Sequence, residues 1–195
     1  MKTPAPMVID PSRPHLGGNL VQQDGSSLWP DLIRWLCDPI QSFFGPLNTV
    51  LDVGSGKGES MELFCREGCY CTGIEGLEVN AKASTYPVLV HDLTRGPVQF
   101  TGIDLVWCVE VVEHIEEKYL DNLLRTITVG RYLAMTHAVP GQGGHHHVNC
   151  QPWEYWMRNV ERYGMLLDLE LTRESRKHVP AGSFWHRSGL IFKRG

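Results

Sequence analysis

The chain has 195 residues and a formal net charge of −4, and hydrophobic residues make up 42% of it. This length favours one domain with a substantial core, and the lack of a basic block argues against nucleic acid as the main partner. No apolar run approaches the ~18 residues of a membrane span, and the N terminus lacks the apolar stretch of a signal peptide, so we expect a cytoplasmic protein without a membrane partner.

Residues 1–27 are rich in Pro, Gly and Asp and show little periodicity, which predicts an irregular N-terminal arm. This arm is either a flexible leader or a lid that closes over a site, and residues 28–195 form the remaining domain. Apolar residues then recur at helical spacing from Leu28 to Phe44. Pro39 should kink or divide that helix.

The most informative stretch is a short apolar run, residues 48–53, that breaks into a turn with alternate glycines over 54–58. A helical pattern follows over 57–67, so the stretch predicts a strand, a glycine turn and a helix, which form a ligand site at the carboxyl edge of an α/β sheet. The letters G-S-G-K-G fit neither the dinucleotide nor the phosphate-loop pattern. Asp52 would repel a phosphate and suits a cationic ligand.

Further strands are predicted at 70–75, 88–92, 103–109, 131–137, 165–171 and 188–192. Helical spacing predicts helices at about 117–128 and from Trp153 to Gly164. Strands that alternate with helices predict an α/β fold with a doubly wound seven-stranded sheet, mostly parallel with an antiparallel last strand.

The glycine turn and the acid before it resemble motif I of the class I, Rossmann-like S-adenosylmethionine-dependent methyltransferases, written as an acid followed by x-G-x-G-x-G. The fourth strand and the segment Glu110–Ile115 are similar to the same family's D-L-V strand and following E-x-x-E-H. The resemblance covers about 48–195. It implies a Rossmann-like fold, S-adenosylmethionine as cofactor and S-adenosylhomocysteine as product.

The resemblance also implies a set of cofactor-binding residues: Asp52, Gly54, Ser55, Gly56, Gly58, Glu75, Asp92 and Glu110. Within this set the glycine turn would pass close to the methionine part, Asp52 would hold its ammonium group, and Glu110 would lie beside it. Glu75 would accept the ribose hydroxyls, unless it is a solvated charge at a strand end. Asp92 would accept from the adenine amino group, or instead cap the turn that follows it.

More narrowly, the chain is similar to a group of small methyltransferases from phages and bacteria. Their Gly-Gly-Asn leader corresponds to Gly17–Asn19, and their E-H-x-E-E segment corresponds to Glu113–Glu117. Their long loop T-H-A-x-P-G-Q-x-G-x-H-H-V-N-C-Q corresponds to Thr136–Gln151. This similarity supports the fold more than it defines a substrate.

Methyl transfer to a hydroxyl or an ammonium group requires a base, and histidine titrates near neutral pH. Candidate histidines on loops at the carboxyl edge are His15, His114, His137, His145, His146 and His147. Our first choice for the catalytic base is one of His145, His146 and His147, in the loop after strand five. The alternative is structural, with a loop histidine bonded to Asn149 or to a backbone carbonyl.

No metal ligand is predicted for the reaction, although three adjacent histidines raise that alternative. In an extended chain His145 and His147 point to the same face and could share an ion, with Cys150 or His137 completing the set. Such a site would suit a metal-dependent lyase or hydrolase built on the same fold.

The acceptor is constrained mainly by missing motifs, since Cys108–Val111 stands where exocyclic-amine DNA methyltransferases have N/D/S-P-P-Y/F. The leading hypothesis is methyl transfer to an O or N atom of a small metabolite or of a sugar on a glycan. An alternative is an S-adenosylmethionine-binding subunit or sensor without catalysis. Tryptophans could line the acceptor pocket, but we expect Trp153 and Trp156, on one helix face, to belong to the core.

Overall fold

The computed structural model describes residues 10–16, 28–40 and 44–195. Most of the predicted N-terminal arm, including Gly17–Asn19, therefore lies outside the described residues, and the division at residue 27 stays a prediction. The described part of the arm contains one 3-10 turn, Pro14–Leu16.

The described residues form one sheet with the strand order β3-β2-β1-β4-β5-β7-β6. The strands are β1 (Thr49–Val53), β2 (Tyr70–Glu75), β3 (Val88–Val90), β4 (Leu105–Cys108), β5 (Tyr132–Met135), β6 (Met165–Leu167) and β7 (Leu190–Arg194). β7 pairs antiparallel with β5 and β6, whereas β1 to β5 pair in parallel. The predicted seven-stranded, mostly parallel sheet with an antiparallel last strand is confirmed.

The α-helices of the described ranges are α1 (Pro30–Cys37), α2 (Glu59–Arg66), α3 (Glu78–Ala83), α4 (Leu120–Ile127), α5 (Trp153–Glu161), α6 (Leu169–Ser175) and α7 (Phe184–Ser188). None of them has the length and apolar character needed to cross a membrane. α1 ends at Cys37 instead of kinking at Pro39, because the residue before a proline is driven to extended geometry. Asp38 has that geometry, with φ −79° and ψ 105°.

The sixth strand is shorter than the sequence predicts, since it ends at Leu167 and not at residue 171. The Asp168 carboxylate accepts a hydrogen bond from the Leu171 N–H at 3.0 Å and so begins α6. An Asp at this position satisfies a free N–H of the first helical turn. The leucines on either side of Asp168 fit the residue spacing of a strand and also that of a helix. The capping hydrogen bond of Asp168 therefore determines that a helix begins here.

The sheet is buried on both faces, as expected for parallel strands covered by helices. In β4, Val106 and Cys108 pack into one apolar layer with α4 and α5, while Leu105 and Trp107 pack into the other with α1 and α7. The predicted core pair on α5 is split: Trp156 is fully buried, but Trp153 is 41% exposed. That part of the prediction is wrong, because Trp153 is the first residue of α5 and belongs to neither apolar layer.

Candidate functional site

A cavity of about 260 Å³ opens where the carboxyl ends of β1, β2 and β4 meet. Its walls are the glycine turn after β1, the end of β2, the turn after β3 and the segment that follows β4. His15 and Leu16 of the N-terminal 3-10 turn complete one side. Seven of the eight predicted cofactor residues line it: Asp52, Gly54, Ser55, Gly56, Glu75, Asp92 and Glu110.

The turn after β1 requires glycine for two different reasons. Gly54, Gly56 and Gly58 have φ of +75°, +55° and +93°, which side chains other than glycine rarely adopt. A Cβ on Gly54 would also lie 2.3 Å from a methyl carbon of Val111 on the opposite wall. Gly58, the eighth predicted residue, does not line the cavity and instead precedes α2, where it packs against Ser84.

Glu75 ties the end of β2 to this turn. One carboxylate oxygen accepts the Gly56 N–H at 2.8 Å, and the other accepts the Leu77 N–H at 2.7 Å. Burial raises the pKa of Glu75, and these two hydrogen bonds work in the opposite direction. The side chain is therefore a fixed acceptor at the cavity wall and not a solvated charge.

The cavity is acidic. Its described lining contains five carboxylates and one lysine or arginine side chain: Asp52, Glu59, Glu75, Asp92, Glu110 and Lys57. Asp52 is 4% exposed, and burial together with the charges of Glu75 and Glu59 raises its pKa to about 8. A positively charged ligand would relieve this repulsion, whereas a phosphate would increase it.

Asp92 carries two kinds of contact. One oxygen accepts from the Thr94 N–H at 2.9 Å and from the Thr94 hydroxyl at 2.7 Å, so the predicted cap of the following turn is present. The other oxygen is 3.0 Å from Nε2 of His15. The same carboxylate lines the cavity, so capping does not remove it from the site.

Glu110 follows β4 in a strained backbone conformation, with φ of +56° in a residue that is not glycine. Its N–H donates to the Thr136 hydroxyl at 2.8 Å, and that hydroxyl donates to the Glu110 carboxylate at 2.8 Å. Burial raises the pKa of this carboxyl, and the bond from Thr136 opposes the shift. The loop after β5 thus holds Glu110 against the cavity.

The three predicted histidines of that loop are separated. His147 lines the cavity and packs edge-on against His114, with ring centroids 5.1 Å apart. His145 and His146 are not part of the lining, and His146 lies 6.4 Å from the ring of His15. Burial and the neighbouring His147 lower the pKa of His114 to about 4, so its imidazole is neutral at pH 7.

Glu113 was not predicted as a site residue, although it belongs to the E-x-x-E-H segment. It is completely buried, and both carboxylate oxygens lack a hydrogen-bond partner among the described residues. Its side chain, His114 and His147 offer ligand atoms that lie within 4.8 Å of one another. Among the described residues, His147 is therefore grouped with Glu113 and His114 and not with His145, contrary to the alternative in which His145 and His147 share an ion. The Cys150 thiol donates to the Gln142 carbonyl at 3.4 Å.

Comparison with known proteins decides the family. Residues 28–171 match the family model described as a methyltransferase domain, which is more than half of the chain. The chain belongs to the methyltransferase-domain family. This membership confirms the predicted enzyme class, a methyltransferase. No curated protein sequence matches the chain.

Solved structures with the same fold are distant in sequence. Magnesium protoporphyrin IX methyltransferase (ChlM) from Synechocystis PCC 6803, with bound S-adenosylmethionine, is 16% identical with a TM-score of 0.64, over 91% of this chain and 85% of its own. The plantazolicin methyltransferase BpumL is 10% identical with a TM-score of 0.62, over 95% and 92%. The O-methyltransferase NcsB1 is 15% identical with a TM-score of 0.54. The alignment covers 76% of this chain and 49% of NcsB1, so this chain spans about half the length of that protein. At these identities the likeness establishes the fold.

Several lining residues of this methyltransferase domain were missed by sequence reasoning. Asn80 is 3% exposed on α3, a helix that was not predicted, and its side-chain oxygen lacks a partner within the described ranges. His91 and Val111 were named only as parts of a strand and a motif. A buried polar residue on a short helix leaves no periodic signal, so only the fold reveals Asn80.

Proposed function

We propose that this cavity binds S-adenosylmethionine and that the chain transfers its methyl group to an O or N atom of a small molecule, a metabolite or a sugar. The observation that carries the proposal is the acidic cavity beside the glycine turn, where Asp52 and Glu75 are both buried. A ligand with a sulfonium and an ammonium group supplies the positive charge that this cavity favours.

Each predicted contact has a physical basis in the cavity. The left-handed glycines let the methionine part approach the backbone, and Asp52 offers a carboxylate to its ammonium group. Glu75 already accepts two N–H groups, and each carboxylate oxygen has a further lone pair for a ribose hydroxyl. Asp92, at the next strand end, would accept from the adenine amino group.

The reaction is an in-line displacement. A lone pair of the acceptor atom forms a bond to the methyl carbon while the bond from carbon to sulfur breaks, and the sulfur keeps the electron pair as a neutral sulfide. An acceptor hydroxyl or ammonium must also lose its proton. Positioning alone is worth roughly 7–11 kcal/mol in well-oriented intramolecular reactions, and proton removal typically adds about 10²–10⁴-fold.

The acceptor side of the cavity is formed by His114 and His147 in this proposal. Among the three histidines first predicted for catalysis, His147 is the one in the described lining, so we assign acceptor activation to it. The relatives support a small acceptor, since the NcsB1 structure contains a naphthoic acid and the BpumL structure contains a pentazolic analogue. Nucleic acid remains an unexpected partner for a chain with net charge −4.

Calorimetric titration with S-adenosylmethionine and S-adenosylhomocysteine tests the proposal. We expect micromolar or tighter binding of both, and a loss of at least tenfold for Glu75→Ala. Glu78→Ala is the matched control, because Glu78 is an exposed acid three residues further along the chain. A folded protein that binds neither compound contradicts the proposal.

Turnover is measured as S-adenosylhomocysteine formed with a panel of hydroxylated and amine-bearing acceptors. We expect His147→Ala to lower turnover at least tenfold while donor binding persists. Binding without product formation for every acceptor would instead favour the non-catalytic subunit or sensor.

A further inference from the structure

Glu113 is the least explained polar side chain of the described residues. It has 0% exposure, and neither carboxylate oxygen has a hydrogen-bond partner there. Both oxygens of this carboxyl group are buried without a partner there, which costs free energy, and burial together with the charge of Glu110 raises its pKa to about 8. A bound cation would give both oxygens a partner and favour the charged form. Within the described residues no lysine or arginine forms an ion pair with Glu113.

Two imidazoles lie beside this carboxylate. Nδ1 of His114 and Nδ1 of His147 are buried and also lack partners among the described residues. The three side chains offer one ligand atom each within 4.8 Å of one another. Ligands at about 2.0–2.2 Å from a zinc ion lie roughly 3–3.5 Å apart, so a small closure would complete the set.

The backbone holds the two segments that carry these side chains together. The Glu113 carbonyl accepts the Val148 N–H at 2.9 Å and the Asn149 N–H at 3.1 Å. The Asn149 side chain donates to the Ile115 carbonyl at 3.2 Å. These bonds fix the loop after β5 against the segment after β4, so the three side chains are held near one another without an ion.

We propose that Glu113, His114 and His147 bind a divalent transition-metal ion. Two histidines and one carboxylate form a set that binds Zn²⁺ or Fe²⁺ and leaves coordination positions open. His114 and His147 line the cavity, so an ion that they hold would be accessible from it. This proposal replaces the metal-free prediction from sequence and differs from the alternative in which His145 and His147 share an ion.

A coordination position left open on the ion would select the class of acceptor that binds there, a consequence that rests on the proposed function. A metal ion beside the methyl donor would bind an acceptor through oxygen and lower the pKa of a bound hydroxyl. The acceptor is then a hydroxyl compound rather than an amine, and His147 contributes to its activation as a ligand of the ion.

The test uses protein that has never contacted a nickel column or carried a histidine tag. It is stripped with chelator and titrated calorimetrically with Zn²⁺ and Mn²⁺, and bound Co²⁺ is followed by its visible absorption. We expect one ion per chain, and at least tenfold weaker binding in Glu113→Gln, His114→Ala and His147→Ala. His145→Ala is the matched control and should retain the ion, since His145 is outside the cluster.

Melting temperature gives a second readout that does not depend on activity. A metal that binds the folded chain raises the melting temperature, and we expect this rise in the parent protein and the control but not in Glu113→Gln. The proposal is overturned if no ion binds stoichiometrically, or if His145→Ala weakens binding as much as His114→Ala. Donor titrations on the stripped protein separate this result from the proposed function. If the protein binds S-adenosylmethionine but no metal, the metal site is refuted and the proposed function is not.

Discussion

At the residue scale, two buried carboxylates of the cavity are treated differently by their surroundings. Glu75 accepts two backbone N–H groups, which offset part of the cost of its burial. Asp52 experiences burial and the charges of Glu75 and Glu59, and its pKa rises to about 8. In the empty cavity Asp52 therefore holds a proton at pH 7, and a cation would displace it.

Donor binding should consequently release a proton from Asp52. Below pH 8 the affinity for S-adenosylmethionine is expected to fall by up to about tenfold per pH unit, because the carboxyl must ionise to meet the ammonium group. Calorimetry in buffers of different ionisation enthalpy measures the released proton directly. In Asp52→Asn the release should disappear, while the titration of the donor's own groups is common to both proteins.

The stability of the empty protein checks the same pKa. Asp52 has a folded pKa of about 8 against an ordinary value of 3.8, so the folded state binds the extra proton between these values. Its contribution to stability is therefore lost as the pH rises from about 4 to 8 and is constant above that. Asp52→Asn should lack this decline and be the more stable protein at pH 8. Parallel pH profiles for the two proteins would show that the pKa is not raised.

At the element scale, β1, the glycine turn and α2 form the unit that shapes the site. The turn is fixed on one side by the Ile74 carbonyl, which accepts the N–H groups of Gly54 and Ser55 at 2.8 and 3.1 Å. On its other side Val111 leaves no space for a Cβ on Gly54. The turn is thus pinned between β2 and the segment after β4.

Gly54→Ala should therefore destabilise the chain more than its backbone angle alone explains. Gly68→Ala is the matched control, because Gly68 has φ of +94° but open space around its Cβ position. A left-handed alanine costs roughly 1–2 kcal/mol, and we expect that loss at Gly68 with donor binding retained. Gly54→Ala should add a steric cost of about 1–3 kcal/mol and weaken donor binding at least tenfold.

A double variant isolates the steric part. Val111→Ala combined with Gly54→Ala removes the methyl group that a new Cβ would meet at 2.3 Å, and should recover part of the unfolding free energy. Equal losses at Gly54 and Gly68 in chemical denaturation would show that the close contact has no cost.

Elements with strong local signals were predictable from the sequence, and those that depend on distant partners were not. β1 and β4 are largely buried, and a glycine turn follows β1, so most of the predicted cofactor residues line one cavity at this edge of the sheet. The end of β6 was misjudged because the cap at Asp168 competes with an alternating pattern. The Glu113 cluster was missed because His147 is over thirty residues from Glu113 and His114 and meets them only when the loop after β5 folds back.

At the scale of the whole molecule, the cavity shares a wall with the apolar layer beneath it. Trp107 lines the cavity and stacks on Trp185 of α7, with ring centroids 5.1 Å apart and planes at 8°. Trp29, just before α1, packs against both rings at 6.3 and 5.8 Å. Segments from the start, middle and end of the chain therefore meet directly behind the site.

Trp185→Ala should disturb both stability and the site through this stack. The side chain is fully buried and its N–H donates to the Ser175 hydroxyl at 2.9 Å. Removing a buried tryptophan costs about 3–5 kcal/mol, and the freed space beside Trp107 should weaken donor binding as well. Trp153→Ala is the matched control, since Trp153 is 41% exposed and belongs to neither apolar layer, and it should change stability by less than about 1 kcal/mol. Urea denaturation measures the loss of unfolding free energy, provided that its dependence on urea concentration is unchanged, and donor titration measures the loss of binding.

If both tryptophans proved equally dispensable, the layer would not support the cavity. If Trp185→Ala lost stability but bound the donor normally, the rim contacts of Asp52 and Glu75 would hold the site without help from the layer.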